Sequence, residues 1–141
     1  MVNFFYGTSM KNKIFGLALL ASIFAVAQTA QAREAAYFGL EPDIITNYLG
    51  SSSRNLGYVR VTIELMLSSS SHLEAAEHHS PLLRSEIIKI FGSQTEEQVK
   101  SLTGREDIRR EALEKLRAKM KQETGNEMIK DVIFTKYLYQ G

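Results

Sequence analysis

Apolar and polar residues alternate strictly over residues 58–67, YVRVTIELML. Val59, Val61, Ile63, Leu65 and Leu67 occupy one set of positions, and Tyr58, Arg60, Thr62, Glu64 and Met66 the other. A period of two places the sets on opposite faces of a strand. The first set is a continuous aliphatic strip that must be covered; the second is amphiphilic and can meet water or a partner. With no internal Gly or Pro and several β-branched residues, this stretch predicts the strand around which the chain is organised.

Upstream, residues 34–39 read as a short lead-in with Tyr37 and Phe38. Pro42 then precedes a second predicted strand over residues 43–49. Proline belongs at a strand start or an edge. Gly50-Ser51-Ser52-Ser53 and Arg54-Asn55-Leu56-Gly57 separate the two strands, as in an antiparallel hairpin or meander.

Downstream the period changes to that of helices. Ser68–Ser71 is a breaker, and Ser71-His72-Leu73-Glu74 has the form of a capping box, predicting a helix as far as His79. Ser80-Pro81 restarts it, with Ser80 as N-cap and Pro81 at the first helical position. Leu83, Ile87, Ile90 and Phe91 make one apolar stripe before Gly92, so the two segments can run as one kinked helix. Thr95-Glu96-Glu97-Gln98 opens a short helix expected to bury Val99 and Leu102. Thr103-Gly104-Arg105-Glu106 has the same cap form and opens the longest helix, to about Glu123 before Gly125. Its apolar face is Ile108, Ala112, Leu113, Leu116 and Met120; Arg109, Arg110, Glu111, Glu114, Lys115 and Arg117 lie opposite. The Glu106–Arg110 and Glu111–Lys115 pairs, four apart, each contribute about 0.2–0.5 kcal/mol.

Residues 128–139 then predict a last strand. Met128, Val132, Phe134 and Leu138 fall on one side, and Ile133, Tyr137 and Tyr139 on the other. Apolar residues on both faces imply a strand interior to the sheet or one used at an interface, with Tyr137 and Tyr139 as its aromatic contacts. The order strand, strand, helices, strand defines an α+β domain: a small antiparallel sheet covered by helices on one face.

The first 32 residues stand apart. Lys11 and Lys13 precede an apolar run over residues 14–27, followed by Ala30-Gln31-Ala32. This is the order of an export signal, with cleavage expected after Ala32. Fourteen helical residues reach about 21 Å, short of the ~30 Å hydrocarbon core of a bilayer. Retention as a single membrane anchor is the alternative. Residues 1–9 carry an uncharged aromatic patch ahead of the basic region, and translation is expected to begin at Met10. The division is therefore residues 1–32 as signal or anchor and residues 33–141 as one domain.

Composition narrows the chemistry. The chain has 141 residues, 44% hydrophobic and 23% charged, and no cysteine, which excludes disulfides, thiolate nucleophiles and zinc–thiolate sites. The formal charge of +1 includes the two lysines before Arg33, so the remainder carries −1 and offers no electrostatic case for nucleic acid. His78 and His79 are adjacent and point about 100° apart on a helix, and His72 lies two turns from His79, so no metal site is expected. Ser51–Ser53 and Ser68–Ser71 sit in no nucleophile elbow and read as turns and caps. Arg60 and Glu64 share a strand face and read as a surface pair rather than an acid–base dyad. No Gly-rich phosphate loop is present. Catalytic, cofactor-binding and metal-binding residues are all expected to be absent, and no cofactor is required.

Three segments carry a resemblance. Pro81-Leu82-Leu83-Arg84-Ser85-Glu86-Ile87-Ile88 is similar to a P-x-L-R-x-x-I-I helix. Thr103-Gly104-Arg105, with Ile108-Arg109-Arg110-Glu111-Ala112-Leu113, is similar to a G-K-x-x-L-R-x-E-L segment. Val132-Ile133-Phe134-Thr135-Lys136-Tyr137-Leu138-Tyr139-Gln140 is similar to a terminal V-Y-F-T-x-F-V-x-Q strand. Together, in order over roughly residues 58–140, they resemble the flagellar basal body-associated FliL family. The resemblance implies a stomatin-like (SPFH-like) periplasmic domain tethered at the inner membrane. It implies non-catalytic support of the flagellar stator and basal body in swimming and chemotaxis, with self-association into a homo-oligomer. The family's tether is a longer transmembrane helix than residues 14–27 supply. The competing class is an exported ligand-binding or enzymatic domain. A deep polar pocket with displaced titrations would favour it, whereas apolar residues exposed on a strand or helix face favour a contact module.

Overall fold

A computed structural model of the chain describes residues 34–52 and 55–141. The expected export signal, the start at Met10 and the cleavage point all lie outside these residues. Four strands form one antiparallel sheet: β1 (Ala36–Gly39), β2 (Ile44–Ser52), β3 (Asn55–Leu67) and β4 (Ile129–Gln140). Between β3 and β4 the chain makes a short 3-10 turn and four helices: α1 (Leu73–His78), α2 (Ser80–Gly92), α3 (Glu96–Lys100) and α4 (Leu102–Thr124).

β3 is the centre of the sheet, as its alternation requires. β4 pairs along it from Tyr58↔Gln140 to Leu67↔Ile129. β2 and β1 share its other edge in succession, from Ile44↔Val61 toward Tyr48↔Gly57 and from Ala36↔Leu67 to Gly39↔Glu64. The lead-in is therefore a strand. Its four residues are too short to show a period. Arg84 of α2 fixes the corner between β1 and β2 by donating from Nη1 to the carbonyl oxygens of Leu40 (2.8 Å) and Pro42 (2.5 Å).

The aliphatic strip of β3 is buried in full, together with Leu40, Ile44 and Tyr48. The helices cover it with Leu83, Ile87, Ile90 and Phe91 of α2, Val99 of α3, and Ile108, Ala112, Leu116 and Met120 of α4. These are the stripes expected from the sequence, with Leu113 half-buried at the margin. Leu102 is not among them; at 84% exposure it lies in the first turn of α4, turned to solvent.

Three of the expected caps lie elsewhere. Ser69, not Ser71, caps the 3-10 turn by accepting from the Ser71 amide. Ser101, not Thr103, caps α4 by accepting from the Gly104 amide at 3.0 Å. In both cases another serine, two residues upstream, holds the extended backbone that a cap needs. His79, without a side-chain bond, stands at the break between α1 and α2, which places Ser80 inside the helix. At α3 the Thr95–Gln98 capping box forms as its sequence implies.

β4 departs most from its sequence reading. It is an edge strand of the described sheet. Its apolar residues fall on both parities because its register shifts twice against β3, once between Thr62↔Lys136 and Ile63↔Phe134 and again near Lys130. Each extra residue turns the following side chains to the other face. Val132 and Phe134 before the Thr135 bulge, and Tyr137 and Tyr139 after it, thereby share the helix side. Their rings form a chain, with centroids 5.5 Å apart for Phe134–Tyr137 and 6.5 Å for Tyr137–Tyr139, and Phe91 lies 6.0 Å from the first two.

The polar face of α4 is also not wholly solvated. Glu106–Arg110 and Glu111–Lys115 pair as expected. Arg109 pairs with Glu106 and reaches Asp131 of β4. Arg117 donates from Nε to the Ile129 carbonyl at 2.6 Å and from Nη2 to that of Lys130 at 3.3 Å. These arginines tie the helix to the end of the strand, a role that their polarity alone does not reveal.

Candidate functional site

The face of the sheet turned away from the helices is the candidate site. β3 directs Tyr58, Arg60, Thr62, Glu64 and Met66 onto it, and the register adds Tyr37 from β1, Ile45 and Asn47 from β2, and Ile133, Lys136 and Leu138 from β4. Four of its apolar side chains are more than half exposed: Ile45 at 65%, Leu138 at 57%, Tyr37 at 54% and Tyr58 at 53%. Single exposed apolar residues are ordinary, but a row of them across one sheet face marks a surface for contact.

A charged cluster sits among them. Asp43 accepts from the Thr62 hydroxyl and from Arg60 Nε, each at 2.7 Å, and lies 3.5 Å from Lys136 Nζ. The hydroxyl first, then the guanidinium, hold its carboxyl down at about 2. Arg60 thus pairs across strands with Asp43 and not with Glu64. Asp43 is the member that sequence reasoning missed. Its place just after Pro42, where β2 enters the sheet, is the only local signal.

At the end of the domain near α3, Lys100 pairs with Glu96, whose carboxyl it holds below its usual range. Lys100 also stands 5.8 Å over the Tyr139 ring, and Arg105 lies 4.8 Å over that of Tyr137. Tyr137 donates to the Val99 carbonyl at 2.9 Å, and burial pushes its phenol up to about 12. Tyr139, expected as an outward contact, therefore belongs to the helix side and is half-covered there.

The histidines belong to different parts of the helical layer. His72 ends the 3-10 turn, His78 is exposed at the end of α1, and its ring meets that of His79 edge-on at 4.9 Å. Among the described residues no group of three His, Asp or Glu side chains could hold a metal ion. Ser51 uses its amide to bond Glu96, and the serines after β3 serve the turn. An open cleft of about 710 Å³ lies between β1 and the α1–α2 region, lined by Phe38, Glu41, Glu77, Pro81, Arg84 and Ile88. Arg84, its cation, is committed to the backbone of the β1–β2 corner. Among the described residues no helix is long and apolar enough to cross a membrane.

A sheet with one face packed by helices and the other studded with exposed apolar and ion-paired side chains defines the chain's class: an α+β domain with one open sheet face. The family model described as "Flagellar basal body-associated protein FliL" matches residues 37–140, from within β1 to the end of β4. The chain belongs to the FliL family. The "Flagellar protein FliL" of Aquifex aeolicus (strain VF5) is similar at 26% identity over 103 residues, which cover 73% of this chain and 60% of that relative. The chain thus matches about three-fifths of that relative's length.

Proposed function

We propose that this chain is a non-catalytic accessory of the flagellar basal body, acting by contact to support the stator-driven motor in swimming and chemotaxis. Family membership over residues 37–140 carries this reading. The exposed apolar row on the outer sheet face supports a contact role over that of an exported ligand-binding or enzymatic domain. In this reading residues 33–141 form a single stomatin-like periplasmic domain that self-associates at the inner membrane. Residues 1–32 deliver it there as a cleaved signal or hold it as an anchor. Its partners are stator and basal-body proteins.

An in-frame deletion tests the reading. Swimming haloes in soft agar should shrink while growth rate stays unchanged, and the full chain supplied in trans should restore them. A deletion strain that swims like its parent would overturn the motor role.

A further inference from the structure

β1 pairs with β3 and, among the described residues, with no other strand. The Leu40 amide donates to the Ile63 carbonyl at 2.9 Å, one step beyond Gly39↔Glu64 in the same register. Bonded and non-bonded pairs alternate along an antiparallel ladder. Ala36 and Phe38 therefore turn their backbone groups toward β3, and Tyr37 and Gly39 turn theirs to the free edge. Among the described residues no hydrogen bond reaches those outward groups. Elsewhere in the sheet such groups are covered. The Leu49 amide of β2 donates to the Gln94 carbonyl at 2.9 Å, and Arg117 takes the carbonyls of Ile129 and Lys130 at the start of β4.

The open edge borders the cleft of about 710 Å³ between β1 and the α1–α2 region. Half-buried Phe38, Pro81 and Ile88, the last 43% exposed, form its apolar wall. Glu41 and Glu77 add two carboxylates, both exposed and neither in an ion pair among the described residues. Arg84, the cation of the lining, spends Nη1 on the carbonyls of Leu40 and Pro42. A strand edge, an apolar wall and an excess of negative charge thus meet in one place.

We propose that an extended segment of another protein adds to the sheet along β1, carrying an apolar side chain and a lysine or arginine two positions apart. The inference does not rest on the flagellar reading. An added strand takes its affinity from backbone hydrogen bonds, here at Tyr37 and Gly39, and its selectivity from alternate side chains. Side chains two apart on a strand share a face, so both enter the cleft on the side of Phe38. The apolar one meets Phe38, Pro81 and Ile88, and the basic one meets Glu41 and Glu77. A helical partner has no free backbone groups to offer the edge. Nucleic acid and anionic lipid meet like charge there. A second copy of β1 fits no better, because residues 34–42 hold two acids and no base.

Selection of a random heptapeptide display library on the purified full chain tests this. Enriched peptides should pair an apolar residue with a lysine or arginine two positions away. A fluorescent synthetic copy of the leading peptide should bind in an anisotropy titration, more weakly as salt rises. Tyr37→Pro removes an outward donor at an edge, where proline is tolerated, and should weaken that peptide about tenfold. Glu77→Lys reverses a charge of the cleft and should weaken it about as much. Both side chains are exposed, and an unchanged melting temperature confirms that each variant is folded. Glu114→Lys, on the solvent side of α4, should bind like the parent. No enrichment, enriched peptides that lack a base, or an affinity that either variant leaves unchanged would overturn the proposal. So would variants that alter only the oligomeric state, since a second copy would then hold the edge. Peptide binding that meets these terms while the deletion strain swims normally upholds the surface and removes only the motor role.

Discussion

Leu116→Asp should strongly destabilise or unfold the domain. Leu116 is fully buried on the face of α4 that covers the sheet, within a cluster that includes Ile108, Ala112, Met120 and the inner row of β3. The substitution removes apolar contacts and places a carboxylate where no donor faces it, at a cost above about 4 kcal/mol. Domains of this size have about 5–15 kcal/mol in total. Glu114→Lys, two residues earlier on the exposed side, should stay within about 0.5 kcal/mol of the parent. Arg117 is not a neutral comparison, because its guanidinium holds the carbonyls of Ile129 and Lys130. Urea or thermal melts of the two variants decide the matter; coincident curves would mean that the face of α4 is wrongly assigned.

Gly104→Ala should destabilise the domain by about 2–3 kcal/mol, although alanine is the better helix former. Gly104 is buried in the first turn of α4, where a Cβ would stand 2.2 Å from the carbonyl oxygen of Gln98 and 2.5 Å from its Cα. Those atoms are backbone, so no rotamer change relieves the clash, and α4 must move off α3. Alanine returns about 1 kcal/mol of helix propensity. Overpacking against fixed atoms costs more, about 1–3 kcal/mol for flexible neighbours and above that here. The displacement also loosens the bond from the Gly104 amide to Ser101 Oγ, which caps the helix. A melting curve measures the net effect, and a variant as stable as its parent would refute the close contact.

The parts of the fold that could be read from the sequence are those in which one period runs uninterrupted. β3 shows ten alternating residues, and α2 and α4 carry apolar stripes at helical spacing; their buried faces match those stripes. Where a single residue breaks the count, the reading fails. The bulge at Thr135 puts Phe134 and Tyr137 on one face though their numbers differ by an odd interval, and so an edge strand reads as apolar on both sides. Caps mislead for a related reason. Serine and threonine cluster before α1 and α4, and only backbone geometry selects Ser69 and Ser101. Leu102 reads as core because it continues the spacing from Val99, but Ser101, extended between the two helices, turns it outward.

The candidate face was legible in half. The amphiphilic row of β3 is plain in the sequence, and its exposure follows from a helical layer that covers only the other side. Asp43, Ile45 and Leu138 join it through register, which the sequence does not encode locally. The relation of Arg60 to Asp43, seventeen residues away, is of that kind.

On the proposed function this chain works by contact at the flagellum, and its position in living cells decides the matter. The full chain, tagged after Gly141 and imaged beside a fluorescent hook or basal-body marker, should form foci that coincide with the marker. An even distribution around the envelope of swimming cells, with no enrichment at the marker, would contradict it.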